Sequence, residues 1–248
     1  MKRFFTTIKN IFSIEDLRIR ILNTIGFLII FRLGSYIVLP GVDAVILEQT
    51  GGTQGGIFDL LNTFLGGSFS RASIFALGIM PYISASIVVQ LLTVAVPHFT
   101  KLQKEGESGR KRLNQFTRIL TIIITAAQSY GYIRATIPNE AVVNPGLFFT
   151  LSSIVILIAG TMFCMWLGER ITDKGIGNGI SMLIMIGIVS RFPVAIYQEI
   201  DTKGMNGMLL FILEVLALFF VVVGVIALTQ ATRKIPVQYA KQVVGNKL

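Results

Sequence analysis

The chain has 248 residues, 53% of them hydrophobic and only 14% charged, with a formal net charge of +9. A soluble core of this size does not need so much apolar surface, whereas a bundle of membrane spans does, so composition excludes an ordinary water-soluble domain. The single cysteine, Cys164, can form no disulfide within the chain and no cysteine metal site. The single histidine, His98, falls where an apolar run meets a basic loop and reads as an interfacial side chain rather than a catalytic imidazole.

Residues 1–20 alternate Phe4, Phe5, Ile8, Ile11 and Phe12 with Lys2, Arg3, Lys9, Arg18 and Arg20. The spacing predicts an amphipathic helix on the cytoplasmic membrane surface, retained because no small-residue cleavage site follows a compact apolar region. The first span is expected over residues 21–39, closed by Pro40-Gly41, with Arg32 inside it; a charge there must pair, face water or snorkel. A polar, glycine-rich stretch leads to IFDLLNTFLGG, residues 57–67, amphipathic and too short for a bilayer of about 30 Å. It is either a surface helix or a re-entrant half-helix, the latter tolerated only where protein or a water cavity covers it.

The most informative stretch is GGSFSRASIFALGIMPYISASIVVQ, residues 66–90. It carries Pro81 and a ladder of small residues, Ala72, Ser73, Ala76, Gly78, Ser84, Ala85 and Ser86, within a second span expected over residues 72–96. Small side chains let another backbone come close, and a proline inside a span frees a carbonyl, so this helix should face protein or a cavity. A basic loop follows, with KEGESGRK; it lacks the spacing and the preceding strand of a phosphate-binding loop. A third span, 113–133, contains Gln115, Thr121, Thr125 and Gln128, which suggests a helix–helix face. A fourth span, 146–168, is followed by GERITDKGIGNG, whose glycines make a tight turn and not a dinucleotide fingerprint. A fifth span covers 179–196 and a sixth 207–228, with Glu214 inside the sixth, awaiting a helix partner or outward snorkelling. Residues 231–248 read as the start of a basic cytoplasmic loop. Seventeen of the 22 Lys and Arg fall on the amino-terminal side of this alternation and four on the other, which predicts both ends of the chain in the cytoplasm.

The run SRASIFALGIMPYISASI, with KEGESGR after it and GTMFCMWLGERITDKGIGNGISM later, closely resembles the SecY family of protein-conducting channels. The resemblance covers almost the whole chain in order, although that family has ten spans in two halves and six are counted here. It implies an all-α integral membrane protein of the bacterial inner membrane, a multi-span helical bundle over residues 21–230 with a re-entrant plug half-helix at 57–70. It further implies the central pore subunit of the secretion translocon, a passive channel that passes unfolded polypeptides and releases hydrophobic segments sideways into lipid. Ile79 and Ile83 match the family's pore ring, as do Ile180 and Ile184, and each pair projects from one helix face. The plug is expected to use Phe58, Leu61, Phe64, Gly66, Gly67 and Arg71. The lateral gate would use Ser84, Ser86, Gln90 and Gln128. Contacts to a ribosome or the SecA ATPase would come from Lys104, Arg110, Lys111, Arg233, Lys234 and Lys241. The implied partners are SecE and SecG, SecA or a ribosome, substrate polypeptides with their signal sequences, membrane lipid, and the carboxy-terminal half of the same channel. A small-solute secondary transporter is the alternative, since broken helices occur there too, and a non-conducting scaffold is a third. With no nucleotide motif, metal cluster or nucleophile–base pair, the chain is expected not to be an enzyme and to need no cofactor.

Overall fold

In hydrocarbon every backbone N–H and C=O must be satisfied inside the protein, which makes helix the default for apolar runs of this length. The computed structural model describes residues 12–50, 57–203 and 207–232. In chain order its helices are α1 (Glu15–Gly34), α2 (Ala44–Thr50), α3 (Ile57–Phe64), α4 (Met80–Ala95), α5 (Pro97–Lys104), α6 (Glu107–Thr136), α7 (Leu147–Lys174), α8 (Gly179–Lys203) and α9 (Met208–Gln230), with a short 3-10 turn at Asn139–Ala141. The chain forms two compact units, residues 1–193 and 194–248. In the first, α6 packs on α7 and α4, and α1 lies along α7. In the second, α9 buries none of its residues.

Among the described residues α7, α8 and α9 are long and apolar enough to cross a membrane. The pair α4 and α5, bent by 99°, makes a fourth if counted as one span. Every eighteen-residue window of α1 contains Arg18, Arg20 and Arg32, and α6 carries threonines and Gln128 through its middle. Those threonines are not free polar groups. The hydroxyls of Thr117, Thr121 and Thr125 each donate to the carbonyl four residues earlier, at 2.6–3.0 Å, and all three side chains are buried.

Three expectations change. A single helix, α1, runs through residue 20, where a surface helix was expected to end and a span to begin. It also stops at Gly34 instead of running to residue 39. Residues 37–39 are extended and pair with the segment beyond the third helix: Leu39 N–H donates to the Ala72 carbonyl at 2.8 Å, and Ile74 N–H to that of Ile37 at 2.9 Å. The second span does not begin as a helix at residue 72. Residues 65–79 are a chain of turns, and the helix starts at Met80. Pro81 therefore sits in the first helical turn, where its missing N–H costs nothing, and frees no carbonyl inside a span. The small residues Ala72, Ser73, Ala76 and Gly78 belong to this irregular segment, in which Ala72 and Gly78 have φ of 46° and 51°.

Glycines on three helices admit that segment. A Cβ at Gly160 of α7 would stand 2.1 Å from the Ile74 carbonyl oxygen, one at Gly187 of α8 2.6 Å from that of Phe64, and one at Gly34 of α1 2.0 Å from the Phe75 ring. Valine at Gly160 should therefore force the irregular backbone away and cost about 1–3 kcal/mol, the usual range for overpacking. Alanine at Gly131 of α6, where nothing lies within 4 Å, should instead stabilise by about 0.5–1 kcal/mol. Thermal unfolding of the two variants in detergent, side by side, should show shifts of opposite sign.

Candidate functional site

The short amphipathic helix α3 ends at Phe64, and the chain turns through Gly66 and Gly67, at φ of 64° and 87°, a conformation that only glycine adopts without strain. Asn62 fastens this turn from both sides. Its backbone carbonyl accepts from Gly67 N–H at 2.9 Å, and its side-chain oxygen from Ser70 N–H at 3.2 Å. Arg32, from near the end of α1, donates Nη1 to the Gly66 carbonyl at 2.9 Å and Nη2 to the Tyr36 hydroxyl at 3.2 Å. Tyr132 of α6 donates its hydroxyl to the Phe69 carbonyl at 2.6 Å, with the two rings edge to face at 4.8 Å. The non-helical backbone is thus held by helices on several sides. Arg32 has the partner that sequence pattern could not name: the Gly66 carbonyl.

Next to this turn an apolar cavity of about 230 Å³ is lined by Phe64 and Leu65 from the turn itself, Ile79, Met80 and Ile83 of the second expected span, Leu183 and Ile184 of α8, and Phe31 and Gly78. Three of the four expected ring isoleucines therefore share one void with Phe64 and Leu65. The fourth, Ile180, meets Ile79 at Gly168: a Cβ on that glycine would stand 3.2 Å from Ile180 Cγ1 and 3.6 Å from Ile79 Cδ1. Ile180 also borders a second cavity, of about 410 Å³ and polar, with Tyr82, Asn114, Arg118, Glu169, Asp173 and Asn178. There Arg118 of α6 donates one Nη2 to both carboxylate oxygens of Glu169 on α7, each at 2.8 Å. Ile180 and Ile79 thus stand between a polar cavity and an apolar one.

The glycine-rich turn after α7 is built from backbone caps. Asn178 Oδ1 accepts from Ile180 N–H at 3.0 Å and Ser181 N–H at 3.3 Å, and Thr172 Oγ1 accepts from Gly179 N–H at 2.9 Å. A Cβ at Gly179 would stand 2.0 Å from the Gly168 carbonyl oxygen, so α7 and α8 meet there at backbone distance. Thr24 of α1 accepts from Ile176 N–H at 3.0 Å and fixes the turn to the first helix.

The remaining expected residues are placed as follows. Leu61 is half-buried against the core, Phe64 is half-exposed at the cavity, and Arg71 lies over the Tyr36 ring at 4.4 Å. The side chain of Phe58 lies outside the described residues. Ser84, Ser86 and Gln90 all sit on α4: Ser84 donates to the Met80 carbonyl, and the Gln90 amide to the Ser86 hydroxyl at 3.4 Å. Gln128 is exposed on α6. Lys104, Arg110 and Lys111 are exposed on a tight hairpin between α5 and α6, which turns at Gly106, and Lys111 pairs with Glu107 at 3.0 Å. Arg233, Lys234 and Lys241 lie outside the described residues. In the second unit Glu214 pairs with Lys203, which also holds Glu199 at 2.7 Å, so a helix partner and not snorkelling accounts for that carboxylate. No group of three or more His, Cys, Asp or Glu gathers into a metal site among the described residues.

Pattern alone missed Arg32, Asn62 and Tyr132 as holders of residues 66–70, and the Arg118–Glu169 pair. For Arg32 the signal was there, an intramembrane charge; the other contacts join residues 8 to 63 apart in sequence and leave no local trace.

The SecY family model matches residues 73–247. Protein translocase subunit SecY of Escherichia coli K12 is 46% identical over 244 residues, 95% of this chain and 55% of that protein. The same subunit of Buchnera aphidicola from Schizaphis graminum is 44% identical over 242 residues, 94% of this chain and 55% of the other. The chain spans about half the length of these curated relatives. Among solved structures, the one described as Sec61 in the canine ribosome-channel complex from the endoplasmic reticulum aligns with a TM-score of 0.57 at 17% identity, covering 88% of this chain and 49% of that one. At that identity the likeness shows the shared fold.

Methionine at Arg32 should release the Gly66 carbonyl. A hydrogen bond from a charged donor is worth about 1.5–3 kcal/mol, enough to loosen the turn without unfolding the unit. The check is maleimide labelling of a Leu65→Cys reporter in a Cys164→Ala background. Labelling should be slow with Arg32 in place, because Leu65 is buried, and at least several-fold faster without it.

Proposed function

Because the chain belongs to the SecY family, we propose that it forms the amino-terminal portion of a passive protein-conducting channel in the bacterial inner membrane. The observation that carries this reading is the apolar cavity shared by Ile79, Ile83 and Ile184 with Phe64 and Leu65 of the plug segment. An unfolded polypeptide has no single shape to recognise, so its path must be wide, wettable and closable. Closure by aliphatic side chains works through dewetting, and each contact is weak and non-directional, so the same groups can yield to a passing chain. In this reading Ile79, Ile83, Ile180 and Ile184 form the ring contributed by this half. The segment from residue 57 to 70 is the plug, and the vestibule around Arg118 and Glu169 is the cytoplasmic approach.

Residues 21–230 would then hold six spans with both chain ends cytoplasmic, the part of α1 before residue 21 lying at the membrane surface. Ser84, Ser86, Gln90 and Gln128 would lie along the path by which hydrophobic segments leave for lipid. The remaining half of the ring and gate would come from the carboxy-terminal half of the channel, with SecE and SecG bracing the two. Signal sequences and substrate chains would be delivered by SecA or by a ribosome, which would supply all the energy. A solute transporter fits less well, because the two ionisable groups it would need at depth are already committed: Arg32 to Gly66 and Glu214 to Lys203.

Asparagine at both Ile83 and Ile184 should wet the constriction and raise resting ion conductance of the complete channel in planar bilayers, with a further rise when residues 57–70 are deleted. Unchanged conductance in the double variant would make these ordinary packing residues. Stability should change less than for a core substitution, since Ile83 and Ile184 border a void and leave no new packed cavity.

The basic hairpin should dock an anionic partner. Reversing the charge of Lys104, Arg110 and Lys111 should weaken binding of ribosomes or SecA to the complex at low salt. The wild-type affinity should itself fall steeply with added salt if the contacts are to RNA phosphates. Equal binding of the reversed and parent proteins would remove these residues from the interface.

A further inference from the structure

Three arginines gather around Gly66 and Gly67, at the end of α1 away from the Thr24–Ile176 contact. A Cβ on Gly67 would stand 3.1 Å from Arg71 Nη2 and 3.7 Å from Arg191 Nε. One on Gly66 would stand 2.9 Å from Arg32 Nη1 and 3.0 Å from Ser190 Oγ. The Tyr36 ring lies beneath two of them, 5.0 Å from the Arg32 guanidinium and 4.4 Å from that of Arg71. All three arginines are half-buried.

Their charges are not balanced. Arg32 spends its donors on a carbonyl and a phenol, both neutral. Among the described residues no carboxylate pairs with Arg32, Arg71 or Arg191; the ion pairs lie elsewhere. Arg71 Nη1 is buried and has no hydrogen-bond partner among the described residues. A guanidinium cannot escape by losing its proton, and a buried charged donor left unpaired is costly. The cluster is therefore built for an anion. Planar guanidinium forks converging from several elements suit a tetrahedral phosphate, whose oxygens can be met from different directions. Beside the cations α1 and the chain after it present exposed Ile29, Ile30, Leu33 and Ile37, an apolar strip on which acyl chains can lie.

We propose that Arg71 and Arg191, with Arg32 behind them, bind the phosphate of an anionic phospholipid at the plug end of the bundle. The bound phosphate ties Arg71, at the end of the plug segment, to Arg191 of α8, so that lipid charge adds to the restraint on the Gly66–Gly67 turn. This rests on the membrane placement proposed above and not on transport.

The test is binding, so it can succeed or fail whatever the channel conducts. The chain, assembled in its complete channel complex, is delipidated in detergent and titrated with phosphatidylglycerol or with phosphatidylcholine, bound lipid being counted by native mass spectrometry. Inorganic phosphate is titrated in parallel by phosphorus NMR. Phosphatidylglycerol should bind in preference to phosphatidylcholine, and R71Q/R191Q should weaken it by about tenfold or more, a decade being about 1.4 kcal/mol. R71K/R191K, which keeps the charges and loses the forks, should fall between; it carries the test if the glutamine pair does not assemble. Undiminished phosphatidylglycerol binding in either variant would overturn the site. Saturation by inorganic phosphate with no lipid preference would overturn the lipid assignment. A protein carboxylate hydrogen-bonded to Arg71 in a map of the complete complex would show that the anion is part of the channel itself and would overturn the proposal.

Discussion

Residues 65–79 run as non-helical backbone through the middle of a membrane-type bundle, and the rest of the first unit is arranged around satisfying them. Hydrocarbon offers no hydrogen bonds, so each carbonyl and N–H of that segment needs a protein partner or a turn of its own. The segment answers part of this itself, through short-range bonds such as Gly78 N–H to the Phe75 carbonyl at 2.9 Å. Neighbouring elements answer the rest: Arg32 takes Gly66, Tyr132 takes Phe69, and residues 37–39 pair across to residues 72–74. The bundle has glycines where backbone approaches backbone because nothing larger fits. Gly160 and Gly187 lie on helices that would otherwise favour alanine or leucine at those places.

This constraint explains which parts of the fold were legible in the sequence. Helices α7, α8 and α9 are long apolar runs whose starts follow the pattern within a residue, while α7 and α8 run six and seven residues past the expected ends into polar sequence. The start of α4 was misplaced because hydropathy does not distinguish a buried turn segment from a buried helix. Residues 72–79 are as apolar in either form. The clue was Pro81, which marks the first turn of a helix at least as well as its interior, and the glycines and small residues just before it. The same blindness ended the first span five residues late, since Ile37, Val38 and Leu39 read as span whether helical or extended.

For the site the division is different. The four isoleucines were nameable only through family likeness, because apolar pairs four apart occur on nearly every buried helix. What spacing could not foresee is that Ile79 and Ile184 would line one cavity with Phe64, some fifteen residues before the first and far in sequence from the second. Convergence of that kind is a property of packing. Arg32 and Glu214 stand at the other extreme: the sequence flags each as anomalous, an intramembrane charge, but the partners lie on other elements and only coordinates supply them.

The division of labour within the unit follows from these contacts. The polar vestibule is braced by a charged pair, Arg118 to Glu169, and by backbone caps at Asn178 and Thr172, interactions that are directional and hold geometry. The isoleucine band has none of these and relies on dispersion and exclusion of water, which tolerate displacement. Directional bonds return at the Gly66–Gly67 turn through Asn62, Arg32 and Tyr132. Side chains of a soft band can part without breaking hydrogen bonds, whereas moving the Gly66–Gly67 turn must break the Arg32–Gly66 bond. In the proposed channel, the threshold for displacing the turn would therefore reside in the polar contacts around Gly66 and Gly67, and the isoleucines would set how well water is excluded while that threshold holds.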